Sequence, residues 1–182
     1  MKTWGLEFPT TWGRFPCRIP TYPPISPSER PREYSKTTTP VTRRFTPTQL
    51  VGGLKKNGLK LGLVVDLTHT SIYYDPREFE QFGVQHIKVE CPGKVVPSAD
   101  VYKKFAGVIR SQLALPDPGV VVVHCTHGVN RTGYLICKFL IDHFKYSSDD
   151  AIKTFSKSRG YSMEYKNYLD DLQEYWQCSC LS

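Results

Sequence analysis

Four consecutive β-branched apolar residues, Val120 to Val123, run into His124-Cys125 and follow the turn-forming stretch Pro116 to Gly119. An unbroken apolar run of that length, punctuated on its upstream side, predicts a strand buried on both faces. Downstream, the apolar positions between Thr132 and Phe144 recur at helical spacing, so the pattern predicts strand, loop and helix in succession. Leu61 to Leu67 predicts a second buried strand and Val84 to Val89 a third. Thr46 followed by Pro47 starts a short helix reaching Asn57, with the threonine as cap and the proline in the first turn. Ser98 caps a helix to about Ala114, and two further helices are expected over Ser148–Ser158 and about Ser162–Trp176. This alternation implies an α/β fold: a central, mostly parallel, twisted sheet flanked by helices. Open sheets of this kind bind ligands at the carboxyl ends of their strands, and Asp66 and Cys125 both fall at such ends.

Composition divides the chain unevenly. Of its 182 residues, the first 47 hold nine of the fourteen prolines and eight Lys/Arg against three Glu. We therefore expect a Pro-rich basic arm or strap over residues 1–45, one α/β domain over 46–176 and a short tail over 177–182. The arm has two readings: a strap packed on the domain through Trp4, Trp12, Phe15 and Phe45, or a guide whose Arg and aromatic side chains hold phosphates and stack bases. A net charge of +7 favours an anionic partner without identifying it. No apolar stretch approaches the ~20 residues needed to span a bilayer, and the N-terminus lacks the apolar core of a signal peptide. Six cysteines without a paired framework point to a reducing, intracellular setting.

The candidate chemistry lies in His124-Cys125-Thr126-His127-Gly128-Val129-Asn130-Arg131-Thr132-Gly133. A strand-loop-helix turn directs the loop amides and the positive end of the helix at one point, a natural seat for phosphate. The same field, with the Arg131 guanidinium added, favours the Cys125 thiolate and makes it a nucleophile at neutral pH. The five residues between Cys125 and Arg131 suffice to wrap a phosphoryl group and return Arg131 to bind two of its oxygens. Thr126, His127, Gly128, Val129, Asn130 and Gly133 line or shape the cradle, the glycines by permitting close backbone approach. Thr132 places a hydroxyl near the sulfur. No Gly-Lys-Ser/Thr of a nucleotide-binding loop follows, and no second Cys/His pair completes a zinc site, so no metal or other cofactor is expected.

The stretch HCTHGVNRTGYLIC resembles the signature of the RNA 5′-triphosphatase branch of the cysteine phosphatase superfamily, with the Thr-His pair and the Asn before the arginine as its discriminating letters. Leu61 to Thr70 with Tyr73-Tyr74-Asp75, and Ser158-Arg159-Gly160-Tyr161 with Asn167-Tyr168-Leu169, are similar to two further blocks of that branch. His69 stands where many members have Asn, and Glu164-Tyr165-Lys166-Asn167-Tyr168 lacks an Arg found in the viral and RNP-associated members. The resemblance implies the cysteine phosphatase fold, a 5′-triphosphorylated RNA substrate, RNP or RNA-processing partners, and a monomer of nuclear or nucleocytoplasmic location. It also makes Asp66 a candidate for catalysis, or for orienting Arg131. Arg159, Lys94 and Lys166 become candidate contacts to the triphosphate or the first nucleotides. A dual-specificity protein phosphatase is the alternative, and an RNA-binding pseudophosphatase a third reading. The loop Cys91 to Pro97 holds no Asp to protonate a leaving group. Phosphotyrosine expels a phenolate of pKa about 10, whereas phosphate ionises last near ~6 and needs little help.

Overall fold

Leu61–Asp66 (β1) lies between Gln85–Lys88 (β2) and Val120–His124 (β3), and both pairings are parallel, so the sheet order among the described residues is β2-β1-β3. The structure is a computed structural model that describes residues 46–71 and 74–179. The arm with its two readings, Tyr73 and Cys180 lie outside the described residues. Helices Pro47–Lys56 (α1), Ala99–Leu113 (α2), Asn130–Phe144 (α3), Ser148–Arg159 (α4) and Lys166–Ser179 (α5) flank the sheet, as the strand-helix alternation implies. Of the described cysteines, Cys91, Cys125 and Cys137 are buried and form no disulfide.

The two faces of the sheet bury different things. Val64, Val120 and Val122 pack with Leu50 and Leu54 of α1, and with Phe79 and Val84. Leu63, Val65, Leu67, Val121, Val123 and Cys125 face Phe105, Ile109, Leu135, Phe139, Phe155 and Leu172, from α2 to α5. Alternation along a strand therefore sends Asp66 and His124, which pair across β1 and β3, to the α1 face, and sends Leu67 and Cys125 to the opposite one. The register shifts once, at Gly62, where a Cβ would collide with the Pro118 carbonyl.

Most predicted elements recur within a residue or two, and the departures have local causes. Thr46 caps α1 through a reciprocal bond with Gln49, and Ser98 caps α2. A 3-10 helix, Pro76–Phe82, was not anticipated; Asp75 caps it and Gly83 ends it at φ +65°. α3 starts at Asn130 rather than Thr132 because the loop winds directly into the first turn. α5 starts at Lys166 rather than near Ser162, because the Asn130 side-chain oxygen accepts the amides of Glu164 (2.8 Å) and Tyr165 (3.2 Å). It also runs on to Ser179, through the stretch expected as tail.

Candidate active site

β3 is buried throughout and delivers Cys125 to the carboxyl edge of the sheet, where residues 125–131 turn into α3. Val129, at the N-cap position, offers no side-chain hydrogen bond, so the first amides of α3 are left for an anion. Gly128 makes the turn at φ +62°, and Gly133 lets α3 close on its neighbours: a Cβ there would stand 2.7 Å from the Phe155 ring and 2.8 Å from Met163. Both glycines are required by geometry rather than by chemistry.

Cys125 is buried, which opposes a charge on its sulfur. The Thr132 hydroxyl, the Arg131 guanidinium and the amides of Thr132 and His127 outweigh that penalty, and the thiol is held below its ordinary range. Thr132 is fully buried, and its hydroxyl has no conventional hydrogen-bond partner; the electrostatic neighbour it serves is the Cys125 sulfur. Cys91, by contrast, is pushed up to about 11 by burial and remains a thiol. Two neighbouring cysteines are thus shifted in opposite directions.

Arg131 donates through Nη1 to the Leu67 carbonyl (3.2 Å) and the Cys91 carbonyl (2.9 Å), and through Nη2 to the Thr126 hydroxyl (2.8 Å). It ties the loop to the ends of β1 and of the segment after β2, with part of its donor fork spent on neutral oxygens that a phosphate can replace.

The other sequence candidates separate into two groups. Arg159 is buried beneath the loop, donating through Nε to the Gly128 carbonyl (2.8 Å) and through Nη2 to the His127 carbonyl (3.1 Å). It is a strut that pulls the carbonyls outward, not an exposed phosphate contact as the sequence suggested. Asn130 holds the start of α5 through its oxygen, which explains a discriminating letter of the motif structurally. Lys166 is exposed and paired with Asp170 at 2.8 Å on its own helix, the arrangement of a solvated face. Lys94 is exposed at φ +67°, its carbonyl held by Asn167 at 3.1 Å. His127 is exposed beside the cradle.

Asp66 is not brought to Cys125. Its carboxylate faces the α1 side, where Oδ1 accepts from the Thr68 amide (2.8 Å) and hydroxyl (2.7 Å), and Oδ2 from Lys88 Nζ (2.9 Å). His124 Nε2 stands 3.8 Å from Oδ1 and His86 Nε2 4.0 Å from Oδ2. Burial opposes its charge, but His124, Thr68 and Lys88 outweigh that and hold the carboxyl below its ordinary range. Nor does it orient Arg131, whose partners are carbonyls and the Thr126 hydroxyl. Asp66 does end β1, as its sequence pattern predicts, but a parity of one residue decides which face it takes.

Asp66, His86 and His124 offer three donor atoms within 4.8 Å of one another, a grouping the sequence reading missed. The Tyr74 hydroxyl stands between the two imidazoles, and the Lys88 ammonium answers the carboxylate, so side chains satisfy the cluster from within. The signal was available in the period-two spacing of His86 and Lys88 on one face of β2.

Asp66→Asn is expected to cost about 1–3 kcal/mol by leaving Lys88 without its counter-charge, with less than about tenfold loss of turnover. Because the folded carboxyl titrates below its unfolded value, its contribution is present above about pH 4 and lost as pH falls through the folded value. Denaturant unfolding of both proteins at pH 7 and pH 3 checks this: the difference should shrink in acid.

The catalytic-domain profile described as dual specificity phosphatase matches residues 49–178. The chain is 41% identical over 131 residues to the RNA/RNP complex-1-interacting phosphatase of Bos taurus, an alignment covering 71% of this chain and 39% of that protein. It is 37% identical over 118 residues to a tyrosine-protein phosphatase of Autographa californica nuclear polyhedrosis virus, covering 64% of this chain and 70% of the viral protein. The chain thus spans about two fifths of the bovine relative. Among solved structures, Tk-PTP in its active form aligns with a TM-score of 0.58 at 20% identity, over 72% of this chain and 88% of that one. PTPMT1 aligns at 0.57 and 20% identity, over 70% and 82%.

Proposed function

The chain belongs to the dual specificity phosphatase family of the cysteine phosphatases, and from that premise we propose that it is an RNA 5′-phosphatase. On this reading it removes the γ-phosphate, and then the β-phosphate, of 5′-triphosphorylated RNA without a metal ion. Cys125 Sγ attacks the γ-phosphorus in line; the bond to the bridging oxygen breaks, and the electron pair leaves on the β-phosphate. Arg131 and the amides of residues 126–131 hold the equatorial oxygens. Water then attacks the phosphocysteine and the sulfur departs as thiolate, favoured by the Thr132 hydroxyl. Lys94 and His127, both exposed by the loop, are the side chains we assign to the remaining phosphates.

The observation that carries the choice of substrate is that, among the described residues, the loop after β2 offers no carboxyl acid for the leaving group. The 91–97 loop has none, and Asp66 faces the other side of the sheet. Of the flanking acids, Glu90 meets His69 at 3.3 Å, and Asp100 lies in the first turn of α2. A phosphate leaving group tolerates this; a phenolate does not. Relatives named for RNA/RNP interaction support the same choice, and an RNA substrate implies RNP partners and a nuclear or nucleocytoplasmic location.

The test compares kcat/KM on γ-labelled triphosphorylated RNA and on a phosphotyrosine peptide, both in EDTA. Since a general acid is worth roughly 10²–10⁴-fold, RNA should be preferred at least about 100-fold, with activity unaffected by the chelator. A preference for the peptide would instead establish the protein phosphatase alternative.

A further inference from the structure

Gly160, at φ +76°, ends α4 with its amide on the Ser156 carbonyl and turns the chain back one residue after Arg159. Tyr161 therefore returns over the buried strut, with Arg159 Cζ 5.6 Å from the centroid of its ring. The guanidinium is fixed from its other side, because Nε and Nη2 are committed to the Gly128 and His127 carbonyls. A cation held against an aromatic ring is attracted by the ring's quadrupole and fixes its orientation. Arg159 is buried, whereas Tyr161 is only half-buried, so part of the ring is left to solvent.

The segment that carries this ring is pinned to the cradle. Met163 is buried in the close contact that Gly133 opens, and the amides of Glu164 and Tyr165 end on the Asn130 side chain. Residues 160–165 thus run along the outside of the phosphate loop and the first turn of α3. The amides of His127 and Thr132 turn inward to the sulfur, and the His127 and Gly128 carbonyls turn outward to Arg159. From the pocket outward the order is loop, guanidinium, aromatic ring. The His127 side chain, exposed at the rim, belongs to one of the two gripped peptides.

We propose that the Tyr161 ring is the stacking platform for the base of the first nucleotide of the RNA, held in place by the Arg159 guanidinium behind it. This inference rests on the RNA 5′-phosphatase reading and deepens it. With the γ-phosphate in the cradle, the other phosphates and the first nucleoside must leave over the rim. Phosphates there need cations, and a base needs a π-face. Every base has one, so a single ring serves any 5′-terminal sequence. A ring whose orientation is already fixed also costs little ordering entropy when the base lands on it.

The test measures kinetics on three substrates: γ-labelled triphosphorylated RNA, the same RNA with an abasic first residue, and p-nitrophenyl phosphate as the reference for an intact cradle. Stacking on an aromatic side chain is worth roughly 5- to 150-fold in affinity. Tyr161→Leu should therefore raise KM for the ordinary RNA about tenfold relative to the reference, with kcat within about twofold. On the abasic RNA, wild type and variant should differ by less than about twofold, because the variant's effect needs the base. Tyr161→Trp, which enlarges the π-face, should bind the ordinary RNA at least as tightly as wild type. The salt slope of binding should be the same in all three proteins, since no charge is removed.

A loss as large on abasic RNA or on p-nitrophenyl phosphate as on ordinary RNA overturns the proposal and makes Tyr161 a support for Arg159. An unchanged KM for ordinary RNA in Tyr161→Leu overturns it as well and leaves the RNA reading standing. Wild-type protein that turns over p-nitrophenyl phosphate but releases no γ-phosphate from RNA overturns the substrate reading, and this inference with it.

Discussion

Replacing Cys125 by Ser is expected to lower turnover by at least about 10⁴-fold on triphosphorylated RNA and on aryl phosphates alike, while leaving the fold intact. The pocket explains why so small a change has so large an effect. Everything around the sulfur favours an anion at that atom: the Thr132 hydroxyl, the Arg131 guanidinium and the amides of Thr132 and His127 together overcome the burial of Cys125. A serine hydroxyl ionises far less readily than a thiol, and the same donors cannot bring it into the neutral range. Oγ would sit in the cradle as a neutral group. The substitution removes no packing of consequence, so the denaturant midpoint should barely move. Single turnovers with γ-labelled RNA, quenched in alkaline denaturant, provide the check: wild-type protein should retain label on Cys125 through a thiophosphate bond that acid then releases, and the variant none. Undiminished release of γ-phosphate by Cys125→Ser would remove the basis of the proposed function.

Strands and helices were legible in the sequence because their signals are local. Val120 to Val123 is apolar without interruption, and Thr46 and Ser98 mark helix starts with side-chain caps. The unanticipated 3-10 helix is short and follows two tyrosines, which carry no helical period. Within the site, Cys125, Arg131, Thr132, Gly128 and Gly133 were readable from spacing alone, since their relation is set by one loop. Asp66, Arg159 and Asn130 were not. Each acts through a partner distant in sequence, Lys88, Gly128 and Glu164 respectively, and no periodicity encodes which side of a sheet or loop such a pair will occupy. The contacts of Tyr74 with His86 and His124 were hidden for the same reason: they join β2, the segment before the 3-10 helix and β3, and form only once the parallel register brings those ends together.

Arg159 gives the clearest separation between what the sequence suggested and what the fold does. An exposed phosphate contact and a buried strut predict different consequences for Arg159→Ala. As a contact, its loss would weaken RNA binding and flatten the dependence of binding on salt by about one unit of slope. As a strut, its loss takes the Nε donor from the buried Gly128 carbonyl and the Nη2 donor from the His127 carbonyl, at a cost of about 1–3 kcal/mol for a buried group left unpaired. Gly128, at φ +62°, then loses the guanidinium that closes on it; Nη2 stands 3.4 Å from where a Cβ would be. Displacing the cradle amides by about 1 Å costs on the order of 10²-fold in rate. We therefore expect Arg159→Ala to unfold at lower denaturant and to lose roughly 10²-fold in kcat, with the salt slope of RNA binding unchanged. Arg159→Lys should recover little of this, since an ammonium is a point donor and does not match the fork that reaches two successive carbonyls. A flattened salt slope with unchanged stability would return Arg159 to the RNA-binding surface and leave the loop held by its glycines and Arg131 alone.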